Sequence, residues 1–314
     1  MSLLDWYHSH GRKNLPWRQD ASPYHIYISE IMLQQTQVKT VLDRYYFPFL
    51  ETFPTLQDIA NAPIEKVLKA WEGLGYYTRA RNLHKAALTC SGKLPSTPEE
   101  LLALSGIGQN TAHAILAFGH HQPYPLLEAN IKRIIARLYA LENPSEKELW
   151  QRAWDLLDTQ YSFDYNQAMM DLGALVCTPK IPDCSHCPYT LTCRGKENPL
   201  LYPTPKIKKK VPTKKLYALV LKQEEKFGLI VRKEKLLGGL WGFTQRLEKP
   251  KDAQEVGRVT HTYSHFKLEL TVLTCKDKTG TDGWFSPEEI KSLALSRVDL
   301  KILQLLEKDN YENI

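Results

Sequence analysis

The sequence predicts a multidomain chain in which an all-α domain is followed by a smaller α+β domain. Apolar residues recur at three- and four-residue spacing from Ser22 to about Tyr161, with Pro or Gly at the breaks. Strand-like alternation begins only near residue 214. Between the two lies GKENPLLYPTPKIKKKVPTKK (195–215), whose Pro and Lys content reads as an exposed, basic connector. The expected divisions are 1–194, 195–215 and 216–314.

Taken in order, the N-terminal stretch MSLLDWYHSHGRK has no apolar core of signal-peptide length. No apolar run anywhere is long enough to span a membrane, so the expectation is a cytoplasmic protein with no membrane partner. Ser22-Pro23 is a helix start, a cap followed by proline, and launches YHIYISEIMLQQTQVKTVLDRYY. Pro54, Pro63, Pro95 and Pro98 punctuate the helical pattern beyond it. SGIGQNTAH (105–113) places two glycines around one apolar residue just before a helix-like run, Thr111 to Phe118. Glycine permits a tight turn and close approach of a ligand, and the amides at a helix start favour an anion. A hairpin that only reverses the chain is the plainer reading. Beyond the connector, LYALVLK, FGLIVRK and KLELTVLTC read as strands, with a helix from about Ser286.

The 314 residues carry a formal charge of +6, which leans toward a polyanionic partner such as nucleic acid. Of six cysteines, Cys90 and Cys275 stand alone. The others, Cys177, Cys184, Cys187 and Cys193, form C-x6-C-x2-C-x5-C within CTPKIPDCSHCPYTLTC. Nothing indicates secretion, so clustered thiols read as metal ligands rather than disulfides. Only one pair is close, whereas structural zinc sites more often show two, and the spacing alone leaves zinc and iron-sulfur both open. Glu30 lies in an apolar helical stripe, with Ile26 and Tyr27 a turn before and Leu33 a turn after. Desolvation there favours the neutral carboxyl and makes a proton donor near neutral pH.

The cysteine loop at the end of an all-α domain, together with SGIGQNTA, resembles the helix-hairpin-helix DNA glycosylases, the endonuclease III and adenine-glycosylase group. LPWR (15–18), SEIMLQQTQV (29–38), GLGYYTRARNLHKAA (73–87) and NQAMMDLGALVC (166–177) are similar to the MutY-type branch. In the C-terminal part, LLGGLWGF (236–243) and HTYSHFKLEL (261–270) resemble that branch's Nudix (MutT)-like domain, without an acidic Nudix box. The resemblance covers essentially the whole chain. It implies a base excision repair enzyme that hydrolyses the N-glycosidic bond of adenine mispaired with 8-oxoguanine or guanine in double-stranded DNA. It also implies a monomer, a [4Fe-4S] cluster on the four cysteines, and a C-terminal domain that senses the lesion rather than hydrolysing nucleotides.

Carried over residue by residue, Glu30 protonates the purine and Glu128 faces the developing sugar cation, with Asn130 beside it. The amides at Gly106, Gly108 and Asn110 hold a DNA phosphate, and the carbonyls of Leu102, Leu104 and Ile107 bind a monovalent cation. Gln35 and Tyr76 wedge into the duplex, Gln167 touches the extruded adenine, and Tyr263, Ser264 and His265 contact 8-oxoguanine. Arg12, Arg79, Arg81, Lys132 and Arg133 are candidate phosphate contacts. Two positions depart from the family's pattern: Glu128 stands where an aspartate is expected, and Asn110 where strand-nicking relatives carry a Schiff-base lysine and adenine glycosylases often Tyr or Ser. The expectation is a monofunctional glycosylase, with the backbone at 128 adjusted to the longer arm and a retaining displacement. The rival readings are a glycosylase and lyase for other mismatched or oxidised bases, a mismatch-binding protein impaired in catalysis, and a Nudix hydrolase.

Overall fold

Ser22 opens its helix as its sequence position predicts: the hydroxyl accepts the His25 amide at 3.2 Å, Pro23 fills the first turn, and the helix runs Pro23–Leu33. It stops sooner than the apolar pattern predicts. Gln35 takes a left-handed backbone, φ 56°, which a right-handed helix cannot continue, and a separate helix, Val38–Arg44, comes next. The computed structural model describes residues 1–205, 210–275 and 280–311. No helix among them is long and apolar enough to cross a membrane.

The chain divides into two units, Met1–Gln35 with Gly92–Ile207, and Thr36–Ser91 with Lys208–Ile314. This departs from the expected division, because the helices between residues 36 and 91 belong with the C-terminal strands. The reason is a set of side chains that bind main-chain groups. Lys69 Nζ donates to Leu293 O (2.9 Å), Leu295 N donates to Glu72 Oε1 (2.8 Å), and Tyr77 OH donates to Leu295 O (3.1 Å). Arg81 reaches the carbonyls of Gly238 (2.8 Å) and Lys235 (2.7 Å).

In the first unit, helix Leu3–His10 packs on helix Ser162–Leu175 and buries Trp6 and Tyr7. The hairpin helices are Pro98–Leu102 and Gln109–Ala114, the second passing into a π-helical turn, Ile115–Gly119. Helix Ala129–Tyr139 approaches Ser162–Leu175 so closely at Gly173 that a Cβ there would lie 2.6 Å from Asn130 Cβ. The connector begins as part of this unit rather than as a free tether: Gly195 N donates to Arg137 O (2.9 Å) and Thr204 N to Glu142 O (2.7 Å). Residues 206–209 of that connector lie outside the described residues.

Among the described residues, the second unit carries seven strands: β1 Thr213–Gln223, β2 Lys226–Val231, β3 Trp241–Gly242, β4 Thr244–Arg246, β5 Gln254–Thr262, β6 Lys267–Thr274 and β7 Gly283–Phe285. They pair in the order β3-β2-β1-β6-β5, with β4 on β1 and β7 on β2. The β1–β6 pair is parallel, with Leu216 opposite Leu270. Alternation in β1 sends Ala218 and Val220 to one core with Leu270, Phe243, Val298 and Ile302, and Leu219 and Leu221 to a second with Ala253 and Leu273. The β5–β6 hairpin closes tightly, Tyr263 N donating to Phe266 O at 2.8 Å.

Candidate active site

Helix Pro23–Leu33 buries Ile26, Tyr27, Ile28 and Ile31 and carries Glu30 on the same element. Burial pushes the Glu30 carboxyl up to about 8, and the charge of Glu128 pushes the same way against the Arg18 guanidinium. Glu128 sits immediately before helix Ala129–Tyr139, in extended backbone. Desolvation raises its pKa, while Lys132 and a hydrogen bond from Asn110 pull it down. Two carboxyls that resist ionisation together can share the work of acid and anion.

The two departures from the family's pattern meet here. Asn110 Nδ2 donates to Glu128 Oε1 at 2.6 Å, and Asn110 Oδ1 accepts the Leu127 amide at 2.7 Å. The residues just before Glu128 are fixed one by one. Buried Asn166 accepts the Leu126 amide (2.9 Å) and donates to Tyr124 O (2.9 Å), and His113 Nδ1 lies 2.8 Å from Pro125 O, which can only accept. Sequence reasoning missed both Asn166 and His113, since neither lies in a recognisable spacing. Asn130 accepts from Arg133 Nη2 at 2.9 Å.

A further missed residue is Arg18. It forks onto wholly buried Asp171 at 2.8 and 2.9 Å, and Arg12 joins the same carboxylate at 2.7 Å. Although burial opposes ionisation, Arg18 and Arg12 hold Asp171 below the usual carboxylate range. Among the described residues, Arg18 Nε is buried with no hydrogen-bond partner, and so is the Oε1 of Gln167, one helical turn before Asp171. Arg18 also acts electrostatically on Glu30.

In the hairpin, Gly106 has φ 78° and needs glycine for its backbone. Gly108, the cap of Gln109–Ala114, does not: a Cβ there would meet nothing within 4 Å. Leu104 O accepts the Ile107 amide at 3.3 Å, and Leu102 is exposed. The five candidate phosphate contacts each have partners within the chain. Arg12 binds Asp171, Lys132 binds Glu146 at 2.6 Å, and Arg133 binds Asn130, Gly173 O and Cys177 O. Arg79 is buried, and Arg81 holds two carbonyls.

Cys177, Cys184, Cys187 and Cys193 are free thiols lining one cavity with Arg137 and Lys196. Burial raises the Cys187 thiol to about 11. Buried Arg137 laces the loop, donating to Thr178 O (2.7 Å), Pro199 O (2.8 Å) and Cys177 Sγ (3.3 Å). Among the described residues, no three His, Cys, Asp or Glu side chains converge to hold a single metal ion.

In the second unit, Tyr263, Ser264 and His265 line a cavity of about 360 Å³ with Tyr76, Leu237 and Arg297. Burial raises the Tyr263 hydroxyl to about 12, and its ring stacks on Phe266 at 4.6 Å. Ser264 and His265 are exposed at the tip of the β5–β6 hairpin. Tyr76 is 43% exposed, too open for an ordinary core aromatic.

Residues 28–159 match the family model of the HhH-GPD superfamily base excision DNA repair proteins, and residues 216–305 match a NUDIX domain. An adenine DNA glycosylase of Buchnera aphidicola subsp. Schizaphis graminum is 33% identical over 96% of this chain and 97% of its own length. The human adenine DNA glycosylase is 40% identical over 62% of this chain and 39% of its own. Among solved structures, a thermostable thymine-DNA glycosylase superposes with a TM-score of 0.58 at 28% identity, over 62% of this chain and 93% of that one. A non-covalent endonuclease III–DNA complex gives 0.54 at 20% identity over the same shares, a likeness of fold.

Proposed function

Because the chain belongs to the adenine DNA glycosylase family of base excision repair enzymes, it is a DNA N-glycosylase that removes adenine, and we propose that this adenine lies opposite 8-oxoguanine or guanine in duplex DNA. The observation that carries the mechanism is Glu30, held protonated to about pH 8 by burial and by Glu128. Glu30 gives its proton to the purine, the bond between the sugar C1′ and N9 breaks with its electron pair leaving on the base, and Glu128 faces the cation left on the sugar. Capture of that cation by Glu128 and then by water gives retention. Extrusion exposes the base, and the unpaired Gln167 Oε1 suits its exocyclic amine while Arg18 Nε–H suits a ring nitrogen. Asn110 has no nucleophilic amine, so the reaction stops at the abasic site without strand cleavage.

The cavity shared by Tyr76, Ser264 and His265 supports a lesion-reading role for the second unit, with hydroxyl and imidazole groups available to a base edge. Gln35 and Tyr76, both with left-handed backbones, are the wedge residues of this reading. Gly106, Gly108 and Asn110 present the hairpin amides to a phosphate, with the Leu102, Leu104 and Ile107 carbonyls as cation ligands behind them. The four cysteines line one cavity and would hold a [4Fe-4S] group, the cofactor that their C-x6-C-x2-C-x5-C spacing implies by its resemblance to the family's loop. When bound, that group supplies a redox-active iron-sulfur centre and ties the loop together. The enzyme acts as a monomer in the cytoplasm.

The test is single-turnover adenine release from a duplex with one 8-oxoguanine:adenine pair, beside guanine:adenine and guanine:thymine duplexes, with borohydride added in parallel. Fast release from the first duplex and no trapped adduct are expected. Tight binding without release would instead mark a mismatch-binding protein.

A further inference from the structure

The loop that carries Tyr76 is bent by three left-handed residues, Gly73 (φ 86°), Gly75 (φ 77°) and Tyr76 (φ 49°). Glycine adopts this backbone freely, but an aromatic residue does not, so Tyr76 stays there only if its surroundings hold it. Arg79 lies at the centre of those surroundings. Its guanidinium stacks over the Tyr76 ring at 5.3 Å and over the Trp71 ring at 5.5 Å. Its Nη2 donates to Gly75 O (3.1 Å) and to Thr36 Oγ1 (3.3 Å). Trp71, fully buried, adds a second donor to the same Gly75 carbonyl at 3.2 Å. Arg79 is 8% exposed, which leaves it little surface to offer a phosphate, whereas the Tyr76 ring above it is open.

We propose that Arg79 is a positioning residue: sandwiched between Trp71 and Tyr76 and bonded to Gly75 O, it fixes Tyr76 in its left-handed, outward conformation so that the aromatic is preformed at the cavity it shares with Ser264 and His265. This rests on the reading of Tyr76 as the wedge at the lesion. Arg79 touches no reacting atom, and its influence on the reaction is confined to recognition of the damaged pair. A planar, forked guanidinium is needed, because an ammonium cannot stack on two rings and reach the carbonyl together.

The experiment compares the full chain with Arg79→Lys, Tyr76→Ala and the double variant, measuring Kd for a duplex holding 8-oxoguanine opposite a non-cleavable adenine analogue and for an undamaged duplex across a salt series. Single-turnover release at saturating enzyme is measured alongside. Arg79→Lys is expected to weaken lesion binding about tenfold while leaving undamaged-duplex affinity, its salt slope and the saturated rate within twofold. In the Tyr76→Ala background the same change is expected to add nothing. A uniform loss on both duplexes with a shallower salt slope would make Arg79 a phosphate contact and overturn the inference. So would independent, multiplying losses from the two substitutions. If Tyr76→Ala itself leaves lesion binding intact, the wedge reading falls and takes this inference with it.

Discussion

Glu128→Asp restores the carboxylate that the family resemblance implies at this position, yet the surroundings predict that it slows the enzyme. Removing one methylene withdraws the carboxyl by about 1.5 Å, one carbon-carbon bond. The 2.6 Å hydrogen bond from Asn110 then opens to roughly 4 Å, outside hydrogen-bonding range. The main chain is not free to follow, because Asn110 holds the Leu127 amide, Asn166 holds the Leu126 amide and Tyr124 carbonyl, and His113 holds the Pro125 carbonyl. A misplacement of about 1 Å costs on the order of 100-fold in rate, so single-turnover adenine release is expected to fall about 100-fold. Kd for the duplex is expected to stay the same, since on the proposed mechanism Glu128 faces the sugar of the extruded nucleotide and not the phosphates. The assay is rapid-quench release at saturating enzyme with a parallel binding titration. A variant as fast as the parent chain would refute the argument that Asn110 and Glu128 are matched in length.

Four further outcomes are expected. Glu30 is protonated below about 8, so the single-turnover rate should hold up to that pH and fall roughly tenfold per unit above it; Glu30→Gln should lose about 100- to 10,000-fold and the pH break with it. The same raised pKa means that the stabilisation carried by the neutral carboxyl is complete below its unfolded value and lost as pH rises toward 8, so Glu30→Gln should melt higher than the parent chain in alkaline buffer. Asp171→Asn leaves buried Arg18 without its counter-charge and should cost about 3–5 kcal/mol in urea unfolding; because the Asp171 pKa is depressed, its contribution is present above the unfolded value and lost on acidification, and the variant should show a flatter acid limb. Iron and sulfide analysis of the purified chain should find both elements, and Cys187→Ser should lower both; zinc in their place would reverse the assignment.

Much of the fold was legible because it rests on side chains with local jobs. Ser22 and Pro23 start a helix by chemistry contained within four residues, and the apolar alternation of β1 and β6 arises from their burial between two cores. The break at Gln35 was not legible, since nothing in QQTQV marks a left-handed residue. Strand β5 was missed because QEVGRVTHT exposes most of its side chains and shows no apolar alternation. The division into units was hidden for another reason: Lys69, Tyr77 and Arg81 dock on carbonyls, which every residue possesses, so no pattern of side chains announces the contact.

The same asymmetry decides what reads DNA. Arg12, Arg79, Arg81, Lys132 and Arg133 read as candidate phosphate contacts from the sequence because a basic side chain looks available until its partners are known. Each has a partner within its own unit. Gly108 is the reverse case: its backbone, φ −94°, suits any residue, and a methyl group would meet no atom of the described residues within 4 Å, so packing and conformation among them leave its missing side chain unexplained. On the proposed reading, close approach of a DNA backbone accounts for it. Amides at the start of a helix, in a turn with two glycines, can take an anion without a cationic side chain, and on the proposed reading the hairpin backbone is where a phosphate is expected first.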